Sequence, residues 1–531
     1  MRWRLPLGLA TLLVLGVVVG VVLSSAGSGS DGSDPGATRS AQTATMPART
    51  PKIPHGALVA RVSDRVVGRP IKAGFLGFSF EFQAVRAYTG SDPDRINPVL
   101  EQLIRNVAPG QAPVIRIGGD STDVSYAPGP GVRPPGYEGY QLTPSWMATT
   151  GALAHQLGAR IIVGLNLAAN DPSLAAAEAR RYVEAFGRGA IEALEIGNEP
   201  NVYANVTVFH TAGGDRIHAR APDYGYPQFV DEFGAIAAAT PSLPLAGPTL
   251  AVGPTPSANS WIDTVPGFLR QEPRVKLMTV HRYPLRNCFV APSSPQYPTV
   301  SHLLAGYATV GLAASLHPWI ASAHAEHRQL RVDELNSVAC RGKRGISDTF
   351  ASSLWVTDAL FALARAGVDG VNLHTLPKSS YELFEFNRSD GRWRAWVRPV
   401  YYGLQLFAQA SPPGSRLLRL RGPKTSSHVS VWATRAPDGR VRVVLINKDP
   451  SRSRTIAVRL PRGVGTAATV ERMQAPSVHS KRGVTLGGRS YGRRTYTGTL
   501  GPLQTRAASG GAGTYLVELP RGSAALLTTG G

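Results

Sequence analysis

Two stretches of this sequence end a run of apolar residues on a carboxylate. They are Leu194-Glu195-Ile196-Gly197-Asn198-Glu199-Pro200 and Arg331-Val332-Asp333-Glu334-Leu335-Asn336-Ser337. A surface turn would account for Asn198 and Pro200, both turn formers. It gives no reason for Glu199 to follow an apolar strand. Two carboxyl groups delivered to one pocket by separate strands suit the cleavage of a glycosidic bond, where one protonates the leaving oxygen and the other meets an oxocarbenium-like carbon. A separation of about 5–5.5 Å goes with retention of configuration. One of the two must start protonated and the other ionised, so their surroundings must push the two pKa values apart.

These tips need a scaffold that brings strand ends together. From about Gly74 to Ser411 short apolar runs alternate with helical patterns, the sign of repeated βα units on a parallel sheet. The strand candidates are Phe75–Phe82, Val114–Ile117, Ile161–Leu167, Ala193–Ile196, Leu245–Leu250, Lys276–Val280, Leu330–Val332 and Gly370–Leu373. Amphipathic stretches lie between them: Ser145–Leu157, Leu174–Phe186, Phe229–Ala239, Leu303–Ala323 and Phe350–Ala366. Such a set predicts a (β/α)₈ TIM barrel, residues 74–411, with the two tips on strands four and seven at the C-terminal face where barrels keep their active sites. A doubly wound sheet would call for a glycine-rich phosphate loop after the first strand, and none is there. Beyond Pro412 the texture changes to short alternating segments, Val429–Thr434, Val441–Ile446, Thr455–Leu460 and Thr514–Leu519, which predict a C-terminal all-β, sandwich-like domain over residues 412–531. The strand-like Ala57–Val67, within residues 55–73, is expected to join that sheet.

At the N-terminus, Arg2 and Arg4 precede an uncharged run from Leu5 to Leu23. Residues 1–26 thus read as a signal peptide or a membrane anchor, with everything after them exported. Residues 27–54, rich in Gly, Ser, Asp, Pro, Ala and Thr, read as a flexible tether. Export permits Cys288 and Cys340 to form a disulfide, and both follow ends of neighbouring barrel strands. The formal charge of +21 in 531 residues favours acidic polymers or anionic envelopes as encounter partners. No zinc-finger spacing, helix-turn-helix pattern or compact basic run supports nucleic-acid binding. Membrane contact is expected only through the leader, and nothing fixes the oligomeric state.

Asn198-Glu199-Pro200 on strand four and Glu334 on strand seven resemble clan A, the 4/7 superfamily of retaining glycosidases. Within it, Arg116-Ile117-Gly118-Gly119-Asp120, His281-Arg282-Tyr283-Pro284 and the trailing β-domain resemble glycoside hydrolase family 79, which contains β-glucuronidases and heparanases. The resemblance implies Glu199 as proton donor and Glu334 as attacking carboxylate. It also implies Asn198 on the sugar 2-hydroxyl, Tyr283 against the nucleophile, and Glu81 and Asp120 on sugar hydroxyls. For a uronic acid's carboxylate it favours Tyr381 and the Gly342 turn, with Lys378 a further donor. Cys340-Arg341-Gly342 departs from the run of glycines in heparanase-type loops, which speaks against long-chain heparan cleavage. Asp333 reads as a structural charge on the opposite side of its strand, and His281 as a hydrogen-bonded pocket histidine. The chemistry calls for no metal and no cofactor. Two alternatives stay open: another clan A exo-glycosidase acting on xylosides, arabinofuranosides or glucosides, and an inactive carbohydrate-binding surface protein.

Overall fold

The computed structural model describes residues 50–530 apart from 130–131, 138, 258–259, 424–427 and 465–466. The expected leader and nearly all of the tether lie outside the described residues. Among the described residues no helix is long and apolar enough to cross a membrane.

Eight parallel strands close into a barrel: β1 (Leu76–Glu81), β2 (Val114–Gly118), β3 (Arg160–Leu165), β4 (Ile191–Ile196), β5 (Leu245–Ala251), β6 (Val275–His281), β7 (Gln329–Leu335) and β8 (Gly370–Thr375). Each overlaps one of the expected runs. Closure is made where Val371–Thr375 of β8 pairs with Leu76–Phe80 of β1. Every residue of β1, β2 and β8 is buried, because side chains fill the barrel inside while helices cover it outside.

The helices begin where capping chemistry allows. The Thr143 side chain accepts from the Trp146 N–H to start Pro144–Leu157. Asp171 accepts from the N–H groups of Ser173 and Leu174 to start Pro172–Phe186. The single helix expected over Leu303–Ala323 is broken into Val300–Leu304, Val310–Ala314 and His317–Ala325. Pro318 tolerates only a first-turn position, so the helix must restart there, and Gly306 and Gly311 weaken the preceding turns. Before the last barrel helix, Pro399–Ala410, the chain inserts a hairpin of Phe384–Ser389 with Arg392–Val397. Its two-residue turn, Asp390-Gly391, has both φ values positive (52° and 73°), the geometry for which Asp-Gly is selected.

The remaining chain forms an 11-stranded sheet. The N-terminal strand Leu58–Val67 lies inside it, antiparallel to Arg416–Arg421 on one side and parallel to Arg454–Arg459 on the other. Val62, Leu418, Val443, Ile456, Val470, Val517 and Leu527, from strands along the whole sheet, share one core. The sheet therefore curves over itself. It is tied to the barrel through the helix Phe350–Ala366, whose buried Asp358 accepts from Lys448 Nζ at 2.7 Å, Ser430 Oγ at 2.9 Å and Trp432 Nε1 at 2.8 Å.

Candidate active site

The β4 tip is shaped by local backbone demands. After Ile196 the chain turns at Gly197, whose φ is +79° and where a Cβ would fall 2.8 Å from the Leu167 side chain. Only glycine meets both conditions. The Gly197 N–H donates to Leu165 O of β3, and the Glu199 N–H donates to Thr249 O of β5, both at 2.9 Å. Glu199 itself is left-handed at φ 54°, a strained conformation for a non-glycine residue and of the kind found at functional sites. Pinned on both sides, its side chain enters the barrel mouth, where Oε1 lies 2.8 Å from His281 Nδ1.

Glu334, on β7, is held by two donors. Tyr283 Oη donates to Oε1 at 2.8 Å and Arg116 Nη1 to Oε2 at 2.7 Å. His281 Nδ1 and His374 Nδ1 each stand 3.8 Å from Oε2. Burial alone would raise the Glu334 pKa. The charges of His374, His281 and Arg116, with the Tyr283 hydroxyl, overturn that and hold the carboxyl far below the usual range. The same pull works in reverse on His374, where burial lowers the pKa but Glu334 and Glu81 raise it above the ordinary value. One oxygen of Glu199, one of Glu334 and a His281 ring nitrogen all lie within 4.8 Å of one another. That spacing could also suit a cation, but both Glu334 oxygens already accept hydrogen bonds and one faces the Arg116 guanidinium. The donor set therefore does not fit a metal.

Arg116 is the hub. Fully buried on β2, it donates through Nε to Glu195 Oε2 at 2.7 Å, through Nη1 to Glu334, and through Nη2 to Asn198 Oδ1 at 3.0 Å. Asn198, so oriented, turns its amide Nδ2 to Asp120 Oδ1 at 3.4 Å. Asp120 is open to solvent at the mouth. Crowding by protein atoms and the charges of Glu81, Glu199 and Glu334 raise its pKa, and its open face leaves the repulsion as the part that survives. Glu81 accepts from the Ser121 N–H at 2.9 Å and from the Ser121 hydroxyl, and faces His374 Nε2 at 3.5 Å. Gly119 must be glycine, since a Cβ there would lie 2.4 Å from the Glu81 carboxylate.

One wall is built from the loops after β6, β7 and β8. Short strands Leu285–Arg286 and Val338–Ala339 pair in parallel, extending the β6–β7 contact outward. Just beyond, Cys288 and Cys340 are joined in a disulfide with Cα atoms 6.1 Å apart. Cys340, Arg341 and Gly342 then run in left-handed conformation (φ 61°, 67° and 75°). A Cβ on Gly342 would fall 2.8 Å from the Tyr381 nitrogen, so the turn lies directly against Tyr381. The Tyr381 ring stands 6.3 Å from that of Tyr283 and 5.8 Å from that of His374. Lys378 is exposed and left-handed, on the turn leading to Tyr381.

All the expected site residues except Lys378 thus converge on one pocket or its wall. Asp333 differs from expectation. It faces Arg116 Nε and His281 Nε2 at 3.6 Å each and is fully buried inside the barrel rather than on the far side of β7. The pairing of β7 with β8 shifts register between Val332 and Leu335, and such an irregularity lets two successive acids face the same side. Arg116, Glu195 and His374 carry contacts that the sequence did not assign to them. Each is a charged or titratable residue within an otherwise apolar barrel strand, which was the available signal.

Comparison with known proteins supplies context for this geometry. Residues 431–526 match the glycosyl hydrolase family 79 C-terminal beta domain. A β-glucuronidase of Neurospora crassa is 20% identical over 392 residues, 67% of this chain, and the match spans 66% of that relative's length, just under two thirds. A 4-O-α-L-rhamnosyl-β-D-glucuronidase from Fusarium oxysporum 12S superposes with a TM-score of 0.67 at 20% identity, covering 88% of this chain and 100% of its own. A family 51 arabinofuranosidase from Xanthomonas axonopodis pv. citri superposes with a TM-score of 0.63 at 16% identity, covering 90% of this chain and 100% of its own.

Proposed function

We propose that this chain, a glycoside hydrolase of the family 79 type, is a retaining β-glucuronidase in which Glu334 is the nucleophile and Glu199 the acid/base. In the first step the Glu334 carboxylate bonds to the anomeric carbon while the bond to the leaving oxygen breaks and that oxygen takes the Glu199 proton. In the second, Glu199 removes a proton from water, the water oxygen bonds to the same carbon, and Glu334 leaves. The observation that carries this reading is the pinning of Glu334 in its ionised form by Tyr283 and Arg116, with an oxygen of Glu199 within 4.8 Å. That separation suits direct attack and leaves no room for an intervening water.

The uronide assignment rests on the wall. Glu195, Asp333 and Glu334 surround the buried Arg116, and Glu81, Glu199 and Glu334 set their charges against Asp120, so a substrate carboxylate is repelled from most of the pocket. Tyr381 and the Gly342 turn offer it hydrogen-bond donors at the wall, where the positive charge of Arg341 opposes the negative charges of Glu334, Glu81 and Asp120, which also reach Tyr381. That the Neurospora and Fusarium proteins are glucuronidases supports the same choice. The crowd of acids is also the observation favouring a second reading, an exo-glycosidase for a neutral sugar. The disulfide and the basic-flanked apolar leader together support an exported enzyme.

Chromogenic β-glucuronide, β-glucoside, β-xyloside and α-L-arabinofuranoside assayed side by side test the substrate. Faster turnover of the glucuronide is expected, and equal or faster turnover of a neutral sugar would overturn the assignment. Glu199→Gln and Glu334→Gln should each lose most activity with the fold intact. Azide should restore cleavage of a substrate with a good leaving group only in Glu199→Gln, because such a group needs no proton and azide needs no base. Rescue of the Glu334 variant instead would reverse the roles.

A further inference from the structure

We propose that Asp333 and Glu195 hold a single proton between them beneath the two catalytic carboxyls, making Asp333 a positioning residue for Glu334 and Glu199. The proposal rests on the glycosidase reading only for its kinetic consequence. Both side chains are fully buried. Glu195 Oε2 takes Arg116 Nε at 2.7 Å, but Glu195 Oε1 and both oxygens of Asp333 have no donor, and His281 Nε2 is likewise without a partner. Arg116 Nε and His281 Nε2 come no closer to Asp333 than 3.6 Å. Asp333 and Glu195 lie within hydrogen-bonding reach of each other, and with both ionised three of their four buried oxygens would have no donor. One proton on Asp333, donated to Glu195, supplies the missing hydrogen bond and removes one negative charge. Burial and the neighbouring Glu195 charge push the Asp333 carboxyl up. On Glu195 burial is outweighed by Arg116, which holds that carboxyl down, so the proton resides on Asp333.

The groups facing this pair are Arg116 from β2, His281 from β6, and Arg331 and Glu334 from β7. Arg116 is the cation shared by Glu195 and Glu334. With the pair protonated, one guanidinium nitrogen serves Glu195 and another serves Glu334. With the proton lost, a third carboxylate competes for Arg116 and sets a negative charge beside His281, whose other nitrogen touches Glu199. Both catalytic carboxyls then lose their arrangement at once, which places a contribution from this pair on the alkaline limb of activity.

Infrared difference spectroscopy of Asp333→Asn against the wild type at neutral pH reads the proton directly. A protonated carboxyl C=O band that shifts on deuterium exchange should be present in the wild type and lost in the variant. The alkaline limb of kcat/KM should move upward by about one pH unit or more, because an amide donates to Glu195 and cannot ionise. Glu195→Gln carries the same two tests should Asp333→Asn fail to fold, since its amide can donate to Asp333. An unchanged carboxyl band overturns the shared proton. An alkaline limb that does not move overturns the positioning role. The infrared measurement needs no substrate, so a wild type that keeps the band but turns over no glycoside refutes the function and not the proton.

Discussion

At the scale of single residues, the proposed mechanism asks two carboxyls to differ, and their neighbours do differ. Glu334 collects cations and a hydroxyl, while Glu199 meets one histidine and stands nearer the solvent. Removing one donor measures how much of this matters. Tyr283→Phe takes away a hydrogen bond to a charged group, worth about 1.5–3 kcal/mol, so kcat/KM should fall roughly 10- to 100-fold. The folded-state pKa of Glu334 is depressed, and activity is lost as the pH falls through it. One donor fewer raises that pKa, so the acid limb of the pH profile should move to higher pH. A limb that stays put while the rate drops would mean that Tyr283 acts on the substrate and not on Glu334. Glu199 and Glu334 were legible in the sequence because each follows an apolar strand with no other use for a carboxylate. The hub was not. Arg116 meets Glu334 from 218 positions away, and no local pattern announces which strands will face each other across a barrel. Asp333 was misplaced because strict alternation was assumed on a strand whose register shifts.

At the scale of elements, all eight strands were visible as apolar runs, since a strand covered on both faces needs no polar side. The broken helix and the Asp390-Gly391 hairpin show where periodicity fails: tertiary packing and proline decide breaks that an amphipathic pattern runs through. The left-handed turn Cys340-Arg341-Gly342 is the element with most at stake, because it combines unfavourable backbone with a position against Tyr381. Its anchors are the Cys288–Cys340 bond, the Ser380 N–H on Arg341 O at 2.9 Å, and Asn287 Nδ2 on Gly342 O at 3.3 Å. Replacing both cysteines by serine opens a loop with a sequence separation of 52, for which chain entropy gives about 4 kcal/mol before strain. The double variant should lose up to that much stability and raise KM for a glucuronide more than it lowers kcat. Denaturant titration and steady-state kinetics check the two halves. An unchanged KM would show that the hydrogen bonds alone hold the turn. Gly342→Ala should be worse, because both the positive φ and the lack of space exclude a Cβ.

At the scale of the whole molecule, the question is what makes a barrel and a curved β-sheet fold as one body. Apolar contact contributes: Met473, Val478, Leu486 and Leu526 of the sheet side lie in the same core as the barrel helices. Phe361 stacks on Trp432 at 5.8 Å, and Arg365 lies over the same ring at 4.6 Å. The polar anchor at this junction is Asp358, fully buried on a barrel helix, with each of its described side-chain hydrogen-bond donors on the β-domain. Asp358 has no solvent to turn to, so its hydrogen-bonding needs are met by Lys448, Ser430 and Trp432. The converse holds for Lys448, whose ammonium is also buried. Asp358→Ala therefore leaves a buried cation without its counter-charge and two donors without an acceptor. Breaking a buried pair from one side costs about 3–5 kcal/mol, a large part of the roughly 5–15 kcal/mol that holds a typical protein folded. The variant should shift the guanidinium unfolding midpoint of the barrel and the β-domain together, read by far-UV circular dichroism and by Trp432 fluorescence. Replacing both members, Asp358→Leu with Lys448→Met, should recover much of the loss, since apolar contact then substitutes for the pair. A single alanine variant within roughly 1 kcal/mol of the wild type would mean that the apolar interface alone joins the two parts.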